Sequence, residues 1–186
     1  MRWIAVHAPA LSLEAFAATL GTVAAMTPLA LVAQHRIVAC SALAAQAGVQ
    51  VGMKRATALA LVPGLVLGVA DEARDQQALN ALAHALLAFT PAVCWQAPHT
   101  VLAEVQASLR CFGGAEALWQ RMQETLAVLG HQLQWAEAPT ALAAAWLAQT
   151  PHHIAPRLCQ ALPDAPWCAY LDRLPLSPQR HRPGAG

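Results

Sequence analysis

The stretch His99–Gly114, H-T-V-L-A-E-V-Q-A-S-L-R-C-F-G-G, narrows the folds open to this chain more than any other. Val101, Leu102, Ala103 and Val105 form a compact apolar run broken by one charge, Glu104, the pattern of a strand buried on at least one face. Ser108, Leu109 and Arg110 then lead to Cys111-Phe112-Gly113-Gly114, a breaker pair, and a helical pattern opens at Ala115. A strand that turns a polar corner into a helix calls for a mixed α and β architecture, and such a corner is a place where a chain can carry chemistry.

The chain has 186 residues, enough for one good core or one and a part. Apolar residues make up 57% and charged ones 11%, with a net charge of +1, so no strong basic field for nucleic acid or acidic lipid is present. Any contact with a polyanion must be local or supplied by a partner. The five cysteines are odd in number and lack C-x-x-C spacing. Cys159 and Cys168 beside His152 and His153 fit no standard zinc knuckle, and buried free thiols in a reducing, cytoplasmic compartment are the expectation. Ala15–His35 holds no Asp, Glu, Lys or Arg and is long enough to span a membrane, but Gly21, Pro28 and Gln34 interrupt it. A helix followed by a strand accounts for it better, and the first residues lack a signal-peptide layout.

In order, the pattern predicts a strand at Arg2–His7, then a helix capped by Ser12, with Glu14 in its first turn and Gly21 closing it. Strands follow at Pro28–Ala33 and Arg36–Cys40, short helices at Ala42–Ala47 and Arg55–Leu61, and a strand at Leu65–Val69. Asp71 opens the best helix, carrying Leu79, Leu82, Leu86, Leu87 and Phe89 at helical spacing. Strands at Ala92–Gln96 and Val101–Gln106, a helix over Ala115–Leu129, a strand at Gln132–Ala138 and an alanine-rich helix to Gln149 complete the series. Seven of the chain's 13 prolines lie from Pro151 onward, where a linker or incomplete unit is expected. The whole reads as α+β, its second block as a split β-α-β unit.

The order of motifs resembles Y-family translesion DNA polymerases. The palm resemblance rests on T-P-A-V, V-L-A-E-V-Q-A-S-L-R-C-F-G-G and A-E-A-P-T-A-L-A-A-A. The fingers resemblance rests on R-I-V-A-C-S-A-L-A-A-Q-A-G-V-Q-V-G-M and the helix ending in P-G-L. It implies a palm-like mixed sheet with helices on one face (residues 1–10 and 71–150), a small α/β fingers-like subdomain (11–70), and the start of a thumb-like region with a frayed tail (151–186).

Phosphoryl transfer by two Mg²⁺ ions needs clustered carboxylates. Where the family has its acidic residues, at the end of the first strand and the start of the central one, this chain has His7 and Pro9, then His99 and Thr100. The family's triphosphate-binding Tyr and Arg correspond to Ala42 and Ala45, and its palm Lys to Ala141 or Ala145. No catalytic, metal or cofactor-binding residue is therefore assigned, and no cofactor is expected. The pattern H-x-P-x-L at His7–Leu11, the alanine-rich Val38–Ala45 and S-L-R-x-F-G-G resemble the non-catalytic ImuB group. That resemblance implies a scaffold in damage-induced mutagenesis, working with an error-prone polymerase, a RecA-like companion, the sliding clamp and damaged or primer-template DNA.

Lys54, Arg55 and Arg110 are the candidate nucleic-acid contacts, with a solvated surface cation as the plainer reading of each. His7 and His99 make a metal pair only with a third ligand. Trp119, Trp135 and Trp146 suit core or helix packing better than base stacking. Two other functions stay open: an active polymerase fragment using displaced acids (Glu104, Glu137 or Asp71), and a membrane-associated apolar helical protein.

Overall fold

The computed structural model describes residues 1–150. The thumb-like region and tail expected over 151–186, with Cys159 and Cys168, lie outside the described residues. Of the other cysteines, Cys40 is partly buried, whereas Cys94 and Cys111 are exposed rather than buried, one on an edge strand and the other in a surface turn. Two compact units are present: residues 1–9 with 79–150, and residues 10–78.

The larger unit is built on a four-stranded sheet. Its strands are β1 (Trp3–His7), β5 (Val93–Gln96), β6 (Thr100–Glu104) and β7 (Gln134–Ala138), in the order β5-β6-β1-β7. Every neighbouring pair is antiparallel. It follows that β1 runs parallel to β5, and β6 to β7, each pair with one strand inserted between its members. This is the split β-α-β arrangement the pattern predicts, although the sheet is antiparallel between neighbours rather than mixed.

Period-two alternation decides what each face meets. Ala5, Leu102, Ala136 and Ala138 share a face and bury against α6 (Ala141–Gln149) through Ala144, Ala145 and Ala148. Small side chains on both sides let this helix lie close to the strands. Thr140 caps it, its hydroxyl accepting from the Ala143 N–H at 3.3 Å. On the opposite face Trp135 meets Trp119 of α5 (Ala115–Ala127), ring centroids 5.2 Å apart. Leu118, Met122 and Leu126 line the buried side of that helix. Helices thus cover both faces where one was expected, because α6 is apolar enough to close the alanine-lined side.

The smaller unit holds a three-stranded sheet, β3-β2-β4, from β2 (Leu29–Ala33), β3 (Arg36–Cys40) and β4 (Val66–Val69). Here the pairing is mixed: β2 is antiparallel to β3 and parallel to β4. Gln34 and His35, with φ of 49° and 62°, turn the chain between β2 and β3. Ala30, Ile37, Ala44, Val49, Ala58 and Leu65 form its core with α2 (Ala42–Gln46) and α3 (Arg55–Leu61). Ser41 caps α2 by accepting from the Ala44 N–H at 3.3 Å, and it also accepts from the Leu29 N–H at 3.0 Å.

The uncharged segment 15–35 folds as most of α1 (Leu11–Leu20), a 3₁₀ stretch at Gly21–Met26 and β2. Among the described residues no helix is long and apolar enough to cross a membrane. One capping expectation fails. Ala10, not Ser12, occupies the position before α1. Ser12 lies inside the helix and donates its hydroxyl to Asp75 of α4 (Glu72–Leu86), a charge-assisted bond that competes with capping. Asp71 does open α4, its carboxylate accepting from the Ala73 and Arg74 N–H groups.

Gly68 of β4 marks the closest approach in this unit. A Cβ there would lie 2.7 Å and 2.8 Å from Phe16 ring atoms and 2.9 Å from Leu31 Cδ2. The Phe16 ring is itself covered by the Arg74 guanidinium, 5.4 Å from its centroid, so it has little room to retreat. Gly68→Ala is expected to destabilise the chain by about 1–3 kcal/mol, the usual cost of overpacking, read as a lowered urea midpoint at unchanged m-value.

Candidate functional site

The end of the large sheet where β1 finishes and β6 begins is the position at which the family resemblance leads one to look for acidic residues. Antiparallel register sets His7 directly opposite Thr100. His7 is 8% exposed and Thr100 fully buried. The Ala8 N–H donates to the His99 carbonyl at 3.0 Å, extending the pairing one residue beyond the strands, and His99 takes a φ of 41° to make that turn.

A hydroxyl has one proton and two lone pairs, and the Thr100 oxygen has three neighbours. It lies 2.7 Å from the Pro98 carbonyl, which can only accept, so the proton goes there. The Gln149 amide at the end of α6 donates to it at 3.2 Å. The third neighbour, His7 Nδ1 at 3.0 Å, must then carry a proton and donate as well. Thr100 is saturated, and His7 is held with its Nδ1 proton pointing at it. Burial pulls the His7 imidazole below its ordinary range, and His99 adds to this by repulsion. The Pro98 and His99 carbonyls push the other way.

This network has no anionic member. The acids on β6 and β7 lie toward the other end of the sheet. Glu104 is opposite Trp3, four residues from Thr100, about 13 Å along an extended strand. Its carboxylate accepts from the Arg2 and Gln106 N–H groups at 3.3 and 3.1 Å. Glu137, opposite Ile4, forms an ion pair with the Arg2 side chain. Burial raises the Glu137 carboxyl above its usual range, while Arg2 pulls it back. Asp71 belongs to the smaller unit, where it caps α4. Among the described residues no three His, Cys, Asp or Glu side chains are grouped to hold a metal ion. His7 and His99 are near enough to repel, without a third ligand.

The other sequence candidates separate by unit. Arg110 is exposed in the turn leading to α5, in the larger unit. That turn is closed by the Gly114 N–H donating to the Leu109 carbonyl at 2.8 Å, and anchored by Phe112 against Phe89, centroids 5.4 Å apart. Lys54 and Arg55 are exposed at the start of α3 in the smaller unit. Ala145 is fully buried against the large sheet. A cation at that position would have to leave the core. Trp119 and Trp135 pack together as expected, whereas Trp146 is 42% exposed. Sequence reasoning missed Gln149, whose role depends on a partner far away in the chain, and Arg36, treated below.

The four-stranded sheet with α5 and α6 on its faces is the palm-like fold that the resemblance implies. The model of the impB/mucB/samB family matches residues 13–149, and the chain belongs to that family. No curated protein matches its sequence. Among solved structures the fold is similar to the post-insertion binary complex of Dbh DNA polymerase, with a TM-score of 0.63 at 15% identity, over 81% of this chain and 46% of that one. It is similar to the insertion ternary complex of Dbh at a TM-score of 0.62 and 16% identity, over 81% and 47%. DinB from Sulfolobus solfataricus gives 0.61 and 16%, over 81% and 46%. Identities this low establish the fold alone, and the chain spans under half the length of these polymerases.

The burial of His7 makes stability depend on pH. A histidine whose folded value lies below its unfolded one binds fewer protons when folded, so stability is full above the unfolded value, about 6.5, and is lost as pH falls toward the folded one. His7→Asn keeps a donor near Thr100 and removes the titration. Urea midpoints of the wild type and this variant should diverge below about pH 6.5 and run parallel above it. Thr100→Val removes the oxygen that accepts from the Gln149 amide and from His7 Nδ1 and is expected to cost about 1–3 kcal/mol at pH 7.5.

Proposed function

We propose that this chain is a catalytically vacant Y-family polymerase-like protein of the ImuB kind, a cytoplasmic scaffold in damage-induced translesion synthesis. The observation that carries the reading is the saturated neutral network at the meeting of β1 and β6. Two-metal phosphoryl transfer needs several carboxylate oxygens converging on hard cations. His7, Thr100 and Gln149 instead spend their polar atoms on one another and on the Pro98 carbonyl. The carboxylates of β6 and β7 are tied to Arg2 or to backbone N–H groups away from that end.

In this reading the chain contributes surface rather than chemistry. It contacts damaged or primer-template DNA through local cations, Lys54 and Arg55 on the smaller unit and Arg110 on the larger. An error-prone polymerase, a RecA-like companion and the sliding clamp are its proposed partners, following its resemblance to ImuB proteins. Solved structures of similar fold include polymerase complexes described as ternary, which supports the DNA part of the proposal.

Primer extension tests the reading directly. The purified 186-residue chain, supplied with primed template, all four deoxynucleotides and Mg²⁺ or Mn²⁺, is expected to add no nucleotide above a protein-free control. Sustained incorporation that disappears in Glu104→Ala would overturn it in favour of an enzyme with displaced acids.

A further inference from the structure

From Ala15 through Ala70 the chain contains no Asp or Glu, and its Lys and Arg residues there are Arg36, Lys54 and Arg55. They are 18 positions apart in sequence between Arg36 and Lys54 (54 − 36), yet the fold brings all three together. Arg36 and Lys54 face each other across an isolated antiparallel bridge. The Arg55 N–H donates to the His35 carbonyl at 2.9 Å, fixing the third cation beside the same hairpin end. Residues opposed in an antiparallel bridge send their side chains to the same side. All three are exposed, as is His35.

Nothing among the described residues neutralises this group. The Arg36 guanidinium donates one N–H to the Gly52 carbonyl at 2.8 Å, which orients it and leaves its other donors for a ligand. No carboxylate pairs with Arg36, Lys54 or Arg55 among the described residues. Three exposed cations on one hairpin end, with no carboxylate among them, are complementary to a dense array of anions. Duplex DNA supplies one charge per ~1.7 Å of axis, enough to engage three cations within one bridge at once. The planar guanidinium fork also matches phosphate oxygens bidentately.

We propose that the β2–β3 hairpin end, with Arg36, Lys54 and Arg55 acting together, is a docking point for the phosphodiester backbone of a nucleic acid. The proposal rests on the reading that this chain works on DNA, and adds where the strand is gripped and that Arg36 takes part. Such a contact is sequence-independent and releases counterions.

Fluorescence anisotropy of a labelled primer-template, titrated with the 186-residue chain over a range of salt, tests this. Arg36→Gln combined with Lys54→Gln and Arg55→Gln should weaken binding at least about tenfold at low salt and flatten the slope of log K against log salt by about 2–3. Arg121→Gln, which removes an exposed cation of the larger unit, should leave both values nearly unchanged. The Lys54→Gln, Arg55→Gln double variant keeps the Arg36–Gly52 bond and should flatten the slope by about 2, guarding against a triple variant that fails to fold. Unchanged affinity and slope in a folded triple variant overturn this docking point while leaving DNA binding intact. A wild-type chain that binds no oligonucleotide overturns both. Binding of an acidic peptide that is lost in the triple variant, with DNA binding unaffected, assigns the cations to a protein partner and overturns the proposal.

Discussion

Strand β1 is hydrogen-bonded along both edges, and the larger unit depends on that. One edge takes β6 and the other β7, so these few residues from the start of the chain occupy the middle of a sheet whose other strands come after residue 92. Ile4, Ala5 and Val6 are buried on alternating faces, and Ala5 is small enough for α6 to approach. A central strand has no edge to leave in water, so its two ends are where polar side chains gather. At one end stands the His7–Thr100–Gln149 network, at the other Arg2 with Glu104 and Glu137. The chemistry this sheet can perform is set by which end carries charge. Here the charge sits away from the end where β1 runs out and β6 begins.

That inversion explains how a polymerase-like architecture holds together without the acids its resemblance leads one to expect. A cluster of carboxylates repels itself unless cations are bound. A threonine hydroxyl, an amide and a neutral imidazole satisfy one another with no bound ion. At this end of the sheet, His7, Thr100 and Gln149 form a polar clasp joining the sheet to the end of α6.

Much of the fold was legible because the signals were local. The strand Arg36–Cys40 and the helix Arg55–Leu61 follow from short apolar runs bounded by Gln34-His35, Gly52 and Pro63-Gly64. Asp71 and Thr140 cap the helices they precede, as their side chains suggest. The failures lie where a distant residue decides. Ser12 carries a capping oxygen, but Asp75 claims its hydroxyl. The 3₁₀ stretch at Gly21–Met26 has too little period in its small residues to announce itself. The position of His7 opposite Thr100 was within reach of the family resemblance. The bond from Gln149, and the bridge that sets Arg36 beside Lys54, depend on tertiary pairing that no window of sequence contains.

The interleaved chain path has a consequence for biosynthesis. As the polypeptide leaves the ribosome, β1 precedes the other strands of its sheet and has neither neighbour to join until about a hundred further residues have been made. The small sheet β3-β2-β4 draws all its strands from residues 29–69 and so has its full complement well before β6 exists. Contacts of short sequence separation form ahead of distant ones. Nascent chains should thus acquire the compact β3-β2-β4 module early, while the apolar β1 waits as an unprotected edge, a natural client for a holding chaperone at the exit tunnel.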